Sequence, residues 1–242
     1  MKKNLFFLLL IFTVGSVKAQ KKQARINQFA DLTATVGSSQ GAIAASYVHN
    51  WKFGKRKRLE AGLGLRWTTY FGTKTNFTTA PARLARTTTT PFVIFFAGQK
   101  TENHDTLTVQ RPLTHAVNVT INLGYNFTNR WNAGFNIDLI GFTFGRKSGA
   151  ILTSNGATKF ESEAKPTAFN VLLTGDNDYG SLNSEFFVKY RISQKWSVKA
   201  VYQFLFIEYK TQSIKQVAPD GTMVDRFRNK ANNAGLGVSY NF

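Results

Sequence analysis

Residues 116–139 decide the fold, and they read AVNVTINLGYNFTNRWNAGFNIDL. In the first half, apolar side chains stand at every second position from Val117 to Phe127, with small polar residues or glycine between them. The alternation resumes at Trp131, after a short polar break. A period of two indicates β-strands, so this stretch predicts an antiparallel hairpin with one apolar face.

The same alternation predicts eight strands along the chain. They lie near residues 29–37, 42–53, 59–71, 116–127, 131–139, 182–192, 196–206 and 233–242. Short turns are expected near residues 54–58, 128–130 and 193–195, and long loops near residues 74–113, 145–180 and 212–231. This division is typical of bacterial barrels with an even number of strands. We expect an all-β fold, an eight-stranded antiparallel up-and-down transmembrane β-barrel, with ten strands as the alternative.

The N-terminal residues predict a cleavable signal peptide. Lys2 and Lys3 precede an apolar run from Leu5 to Val14, and small residues at positions 17 and 19 suit cleavage. The apolar run is too short for a spanning helix, which needs about 20 residues. We expect a signal peptide over residues 1–19 and the barrel domain over residues 20–242. No later stretch approaches the length of a membrane helix, so a spanning protein must be a barrel.

The composition limits the partners. The chain has no cysteine, which excludes disulfides, thiolate metal sites and lipid attachment at an N-terminal cysteine. The formal charge of +18 falls to +15 when Lys2, Lys3 and Lys18 leave with the signal peptide. The positive residues cluster in residues 52–58 or scatter over loops, without a nucleic-acid motif. We expect contact with lipid phosphates and no nucleic-acid partner.

The polar faces of the strands indicate which face points inward. The polar faces of the fourth and eighth strands carry no charge, whereas a water-exposed face would normally carry Lys and Glu. Small polar groups suit the narrow interior of an eight-stranded barrel. Two aromatic girdles are expected, Trp51, Phe127, Trp131, Trp196 and Phe242 at the short-turn end, and Tyr70, Phe71, Phe142, Phe144 and Tyr209 near the long loops. Such girdles mark membrane interfaces, so the apolar face should meet lipid rather than form a soluble core.

With these features, the chain resembles the small outer-membrane barrels of Gram-negative bacteria, the OmpA/OmpX type, and the broad outer-membrane β-barrel or porin-family group. The resemblance covers nearly all of residues 20–242. It rests on the signal peptide, the hairpin pattern shared by residues 125–131 and 190–196, and the terminal Phe242. It implies a place in the cell outer membrane, contact with outer-membrane lipid and lipopolysaccharide, and recognition of Phe242 by the barrel-assembly machinery.

Charged residues on the predicted inward face are the first candidates for function. They are Glu60, Asp138 and Glu185, together with Arg66, Lys189, Arg191 and Lys199. Buried charges must pair, so a structural salt-bridge network is the favoured interpretation. The alternative is a narrow ion path lined by the same residues.

The three histidines give no catalytic prediction. Lipid A deacylases resemble this architecture and use a His-x-Ser arrangement, which neither His49 nor His115 matches, and His104 is the third histidine. A nucleophile needs an adjacent base, so we predict no enzyme and no catalytic residue.

The run Asp176-Asn177-Asp178 invites a calcium interpretation. Gly180 and Glu185 fall at the wrong offsets for an EF-hand loop. Asp, Asn and Gly favour turns, so we expect a turn there. No metal site, cofactor site or cofactor is predicted.

The apolar run Phe92–Phe96 lies in the first long loop. It fits a hairpin that rises beyond the membrane, two further spanning strands, or a packed loop, and we favour the hairpin with local packing. An exposed apolar patch would mark an interaction site. The expected function is that of a structural or interaction barrel whose long external loops bind a protein partner. A small porin-like channel is the alternative, and a lipid A-modifying enzyme is less favoured.

Overall fold

The computed structural model describes residues 26–154 and 156–242, and it confirms the predicted all-β fold. The predicted signal peptide, residues 1–19, lies outside the described residues. The strands are β1 Ile26–Gly37, β2 Gln40–Phe53, β3 Leu59–Gly72, β4 Lys74–Thr79, β5 Thr106–Gln110, β6 Leu113–Asn126, β7 Trp131–Gly145, β8 Ser148–Ser154, β9 Ala157–Pro166, β10 Phe169–Val171, β11 Leu182–Arg191, β12 Trp196–Lys210, β13 Gln216–Val217, β14 Met223–Val224 and β15 Arg226–Asn241.

Helical structure is confined to short turns in the described part of the chain. Helix α1 covers Ala82–Ala85, and 3-10 turns cover Val93–Phe96, Thr101–Asn103 and Gly175–Asn177. None of these helices has the length and apolar character needed to cross a bilayer.

Eight strands pair antiparallel in a closed ring, which we call the lower ring. Its order is β1-β2-β3-β6-β7-β11-β12-β15, and β15 returns to β1. The closing register runs from Phe29 opposite Asn241 to Val36 opposite Ala234. These strands lie at the sequence positions from which strands were predicted. The total of fifteen described strands exceeds the predicted eight because the long loops contain further strands.

The additional strands build a second closed ring at the long-loop end, which we call the upper ring. Strands β12 and β15 continue into it and stay paired up to Lys210 opposite Arg226. There β15 pairs with β4, and β12 pairs with β9. The connections β4-β5-β8-β9 complete a ring of six strands. The segments predicted to be long loops therefore contain strands that extend the barrel.

The period-two pattern sorts side chains as predicted, with polar groups inside the lower ring and apolar groups outside. In β12, Ser197, Lys199 and Gln203 are buried, whereas the intervening Trp196, Val198 and Tyr202 are exposed. Exposed apolar side chains also lie around the other strands of the lower ring, among them Leu32, Ile43, Leu63, Leu65, Leu123, Phe186, Val188 and Leu236. Water-exposed surfaces rarely hold so continuous an apolar band.

A β-bulge in β7 explains how its upper aromatics reach the outer face. Val119 pairs with Ile140 and Thr120 pairs with Asp138, so Leu139 is left over between them. An extra residue reverses the alternation beyond it. Asp138 therefore points inward below the bulge, while Phe142 and Phe144 above it are exposed.

The predicted upper girdle is wrong at two positions. Tyr70 and Tyr209 are both 0% exposed and belong to an apolar core inside the upper ring. Adjacent residues in a strand point to opposite faces, so Tyr70 cannot share the outer face with Phe71. Tyr209 follows the inward phase of β12. The remaining girdle residues, Phe71, Phe142 and Phe144 above and Trp51, Phe127, Trp131, Trp196 and Phe242 below, are exposed as predicted.

The run Phe92–Phe96 does not form a strand, because Val93–Phe96 adopts a 3-10 turn. The alternative in which this run supplies two further spanning strands is therefore wrong. The favoured hairpin does occur, but it is built by β4 and β5, and it joins the upper ring.

Candidate functional site

Arg66 is the centre of an ion-pair network that crosses the lumen of the lower ring. From β3, its Nε and Nη2 donate to Asp138 Oδ1 on β7, at 2.9 and 2.5 Å. The guanidinium also donates to the side-chain oxygen of Asn136 and to the backbone oxygen of Asn183 on β11. Arg66 and Asp138 are both buried, so these bonds form away from water. One arginine thereby ties together three strands of the ring.

A second group of charges lies beside the first and joins it. Lys199 Nζ on β12 donates to Asp31 Oδ2 at 2.9 Å and to Glu185 Oε2 at 3.2 Å. Lys189 Nζ donates to Asp31 Oδ1 at 3.3 Å. Glu185 Oε1 lies 3.7 Å from Arg66 Nη1, which connects the two groups. Three cations thus face three carboxylates, and the predicted salt-bridge network is confirmed.

Asp31 belongs to the network although it was not predicted there, whereas Arg191 was predicted there and lies outside it. Asp31 shares the inward face of β1 with Thr33 and Thr35, and this alternation was the available signal in the sequence. Arg191 is only partly buried and lines a small cavity at the short-turn end. That cavity measures about 20 Å³, which is room for about one water. Glu60 lines it too and accepts from Asn27 Nδ2 at 2.9 Å.

Above the ion pairs, the lumen changes first to amides and then to apolar side chains. Thr35 Oγ1 and Asn233 Nδ2 both donate to Gln203 Oε1, at 2.7 and 2.9 Å. Directly above them, Leu205 and Ile207 enter the apolar core of the upper ring. The core is completed by Ala42, Tyr70, Phe77, Leu107, Val109, Ala150, Leu152, Ala164, Tyr209, Phe227 and Ala231. The charges of the lumen are therefore paired below and covered by an apolar layer above.

A second charge cluster, which we call the external cluster, lies on the outer face of the upper ring. Asp176 accepts from Lys230 Nζ at 2.6 Å and from Arg86, and it lies 3.8 Å from Arg228. Arg228 Nη2 also bonds Glu208 Oε2 at 3.0 Å. Glu208, Arg228 and Lys230 come from the outward faces of β12 and β15. The 3-10 turn Gly175–Asn177 covers them.

Two carboxyl groups at this turn, those of Asp176 and Asp178, have pKa values shifted in opposite directions. Burial alone would raise the pKa of Asp176, but Lys230 and Arg86 hold it below the ordinary value. Burial raises the pKa of Asp178 to about 6, although Leu173 N donates to its carboxyl at 2.7 Å. The two neighbouring carboxyls therefore differ because only Asp176 accepts charged hydrogen bonds from cations.

The turn expected at Asp176-Asn177-Asp178 is confirmed, and its function as the anchor of a charge cluster was missed. The cations at Arg226, Arg228 and Lys230 recur at every second residue, which places them on one face of a strand. That spacing was the available signal. No group of three or more His, Asp or Glu within residues 26–154 and 156–242 is arranged to hold a metal ion.

Glu161 anchors the third long loop. This buried carboxylate of β9 accepts from the backbone N–H groups of Gln212, Ser213 and Ile214 through Oε2, at 2.8–3.2 Å. Burial would raise its pKa, but the backbone donors, Glu163 N among them, hold the pKa below its ordinary value. The loop after β12 is thereby fixed to the upper ring.

The histidines lie on separate parts of the surface. His49 Nδ1 pairs with Gln28 Nε2 at 2.9 Å near the short-turn end, and His115 Nδ1 pairs with Thr69 Oγ1 at 3.0 Å near the other end. His104 lies in the external region, with a buried Nε2 that has no hydrogen-bond partner. The structure does not bring these three residues together.

Residues 87–98, which we call the tip segment, project from the upper ring, and the two chain segments at their base are hydrogen-bonded to each other. Arg86 and Gln99 form an antiparallel bridge, and Thr87 N donates to Gly98 O at 3.1 Å. Within the segment, Phe92 and Phe96 are 73% and 92% exposed. Ile94 is buried and packs so closely against Gly175 that a Cβ added to this glycine would lie 2.9 Å from the Cγ2 of Ile94. This contact anchors the tip segment. Phe92 and Phe96 are thus exposed on a segment whose base is fixed by hydrogen bonds.

Comparison with known proteins gives likenesses of fold alone. No protein-family model and no curated protein matches the chain. Among solved structures, Neisserial surface protein A is 10% identical, with a TM-score of 0.36, and the match covers 90% of this chain and 96% of that one. Ail, the attachment invasion locus protein of Yersinia pestis, is 8% identical, with a TM-score of 0.31 and coverage of 90% and 95%.

A TodX deltaS2S3 mutant, a monoaromatic hydrocarbon channel, is 9% identical, with a TM-score of 0.21 and coverage of 90% and 89%. Neisserial surface protein A and Ail are outer-membrane β-barrel proteins. Identities and TM-scores this low carry no argument about function. The closed lower ring and its apolar exterior confirm, from the chain itself, the barrel fold that the predicted resemblance to small outer-membrane β-barrels implies.

Proposed function

We propose that the chain is an integral outer-membrane β-barrel that acts as a structural and interaction protein through its external layer, and that it catalyses no reaction. The observation that carries this proposal is the filled lumen. Ion pairs span the lower ring, and an apolar core closes it above. A barrel with a filled lumen offers no path through it, so its function is better assigned to the surface of the upper ring and its loops.

The lower ring has the dimensions of an eight-stranded transmembrane barrel. Its outward apolar face on β12 runs from Trp196 to Phe206. Ten steps of about 3.4 Å, tilted by about 40°, rise about 26 Å, which agrees with the apolar band of about 25 Å in such barrels. The lower ring would thus span the membrane with its short turns in the periplasm and the upper ring outside the cell.

The periplasmic end suits the partners implied by the resemblance. Phe242 is exposed there, and its backbone N donates to Gln28 O at 3.0 Å, so the terminal aromatic is held at the rim. We propose it as the contact for the barrel-assembly machinery. The basic turn at residues 52–58 lies at the same end, where it would meet lipid phosphates.

The filled lumen favours this proposal over a small channel. Moving an ion through the ring would require breaking the Arg66–Asp138 pair and then crossing the apolar layer around Leu205 and Phe77. Buried charges left unpaired cost several kcal/mol each. The paired charges are therefore better explained as a structural network than as an ion path.

The tip segment is the proposed contact surface for a protein partner. Phe92 and Phe96 stand in solvent, and exposed apolar groups on a supported loop mark interaction sites. Leu107 and Val109 do not belong to this surface, because they are buried strand residues of the upper ring. A deletion that tests the surface should therefore stay within residues 88–97.

The test combines crosslinking in cells with two matched variants. A photo-crosslinking residue at position 96 should give a discrete adduct by mass spectrometry, and Phe92→Ser should reduce it. Val217→Ser with Met223→Ser is the control, because it removes two other exposed apolar side chains of the external region. Replacing residues 88–97 with Asn-Gly, in a chain without the crosslinker, should abolish recovery of the same partner in a pull-down while leaving the barrel folded, since this pair fits a two-residue hairpin turn. Unchanged recovery from that variant would refute the tip segment as the contact surface.

A further inference from the structure

A cavity of about 150 Å³ lies beside the external cluster, between the upper ring and the loop that carries the tip segment. Its volume is roughly five times the ~30 Å³ share of one water in the liquid, which is room for a tetrahedral oxyanion. The charged side chains that line it are Arg86, Arg228, Lys230 and Asp176. Three cations and one carboxylate leave an excess of two positive charges at its wall.

Two polar atoms of the cavity lining lack hydrogen-bond partners. Arg228 is 2% exposed, and its Nε has no partner, although its Nη2 bonds Glu208. The Nε2 of His104, another lining residue, is likewise buried without a partner. Buried polar groups in folded proteins are nearly always satisfied, so an unpartnered guanidinium N–H at a cavity points to a missing acceptor.

The charges decide which class of ligand fits. Asp176 already accepts from Lys230 and Arg86, so a metal cation would face two guanidinium groups and an ammonium group with little free carboxylate. An oxyanion would instead meet donors, and guanidinium groups match phosphate and sulfate oxygens in geometry. The cavity therefore has the charge and donors of an anion site.

We propose that this cavity binds an oxyanion of the phosphate or sulfate class, free or as an ester on a larger ligand. Arg228 donates from the buried wall, and His104 donates its ring N–H when Nε2 carries the proton. The side chain of Lys230 is 37% exposed and can turn from Asp176 towards the ligand. This proposal rests on the proposed function, which places the upper ring outside the cell. It adds the class of ligand that the upper ring binds.

The experiment uses the full chain purified in detergent and titrated calorimetrically with inorganic phosphate, with chloride at equal ionic strength as the blank. Lys230→Gln should weaken phosphate binding about tenfold or more, as expected for the loss of one charged hydrogen bond. Lys147→Gln is the matched control, because Lys147 is an exposed lysine of the same region that pairs with Glu163 at 2.8 Å. It should leave the affinity unchanged. His104→Phe, which removes the ring nitrogen without losing a fixed charge, should also weaken binding.

A second titration distinguishes the source of the oxyanion. Lipid A in mixed micelles, with and without its phosphates, replaces inorganic phosphate. Saturable binding of inorganic phosphate supports a site for the free ion, and binding of phosphorylated lipid A alone supports a headgroup site. The proposal is overturned if neither ligand saturates, or if Lys230→Gln and Lys147→Gln weaken binding equally. Lys230→Gln should keep the position-96 crosslink, so failure of anion binding is separable from failure of the tip-segment contact.

Discussion

Removing Arg66 should destabilise the barrel more than neutralising its partner Asp138. In Arg66→Met, Asp138 loses both guanidinium bonds and keeps only Asn118 Nδ2 at 2.6 Å and the N–H of Asn183 at 2.9 Å. An uncompensated buried charge costs about 3–5 kcal/mol, so we expect a loss of about 4 kcal/mol. In Asp138→Asn, Arg66 still faces Glu185 at 3.7 Å, and the expected loss is about 2 kcal/mol.

The double variant separates a charge pair from two independent effects. Once Arg66 is gone, Asp138→Asn removes the unpaired charge, so the double variant should lose about 3 kcal/mol rather than the additive value of about 6 kcal/mol. The coupling energy is then about 3 kcal/mol. The exposed pair Lys147–Glu163, with nitrogen and oxygen 2.8 Å apart, serves as the control and should couple by less than about 1 kcal/mol.

Equilibrium urea unfolding from phospholipid vesicles measures these energies. Tryptophan fluorescence reports on the lower ring, because Trp51, Trp67, Trp131 and Trp196 all lie exposed on its outer face. Losses that simply add in the double variant, or a coupling no larger than that of the control pair, would refute the account of the lumen as a paired network.

Three further predictions test the layers separately. Purified protein in planar bilayers should show no steady conductance, and sustained single-channel currents would contradict a filled lumen. The pKa of Asp178 is raised from 3.8 to about 6, so the folded state binds this proton more tightly than the unfolded state. The stability of the external layer should therefore fall by roughly 3 kcal/mol as the pH rises from about 4 to above 6. Hydrogen exchange of residues 169–181 measures this fall, and Asp178→Asn should remove the pH dependence. Phe77→Ala should lower the free energy of unfolding of the upper ring by about 3–5 kcal/mol, because the Phe77 side chain is fully buried. Phe160→Ala, at an exposed site, should lower it by about 0.5 kcal/mol or less. Resistance to proteolysis measures both.

The lower ring could be predicted because its signal is local. The predicted strands alternate over nine or more residues, and the faces can be assigned by asking which polar residues are small and which are charged. The errors follow from the same reasoning. The prediction for Tyr70 is wrong because an aromatic side chain alone does not fix the face: adjacent residues of a strand alternate, and Phe71 occupies the outer face. Asp31 was not among the predicted charges of the inward face, although Thr33 and Thr35 continue its alternation along β1.

The upper ring could not be predicted in the same way, because its pairings are not local. Strand β4 pairs with β15, far along the chain, through Thr79 opposite Phe227. Strand β9 pairs with β12 through Pro166 opposite Tyr209. The alternation in Phe77, Leu107 and Val109 was present in the sequence, but strands this short carry little signal on their own. The external cluster depends on the same pairings, since Arg86 and Asp176 meet Arg228 only when the ring is closed.

The two rings have opposite polarity, and the point of reversal follows from the change of solvent. On β12 the charged and amide side chains of the inward face end at Gln203, and the next three inward residues, Leu205, Ile207 and Tyr209, belong to the apolar core. On β15, Ala231 and Phe227 face the same core. The outward face of β15 reverses in the opposite sense, from Leu236 below to Arg228 above. In lipid a strand must expose its apolar face, whereas in water it must bury that face, so continuous strands that cross the boundary have to exchange their inner and outer chemistry. The apolar core that closes the lumen therefore lies above this boundary, where water no longer requires an apolar outer face.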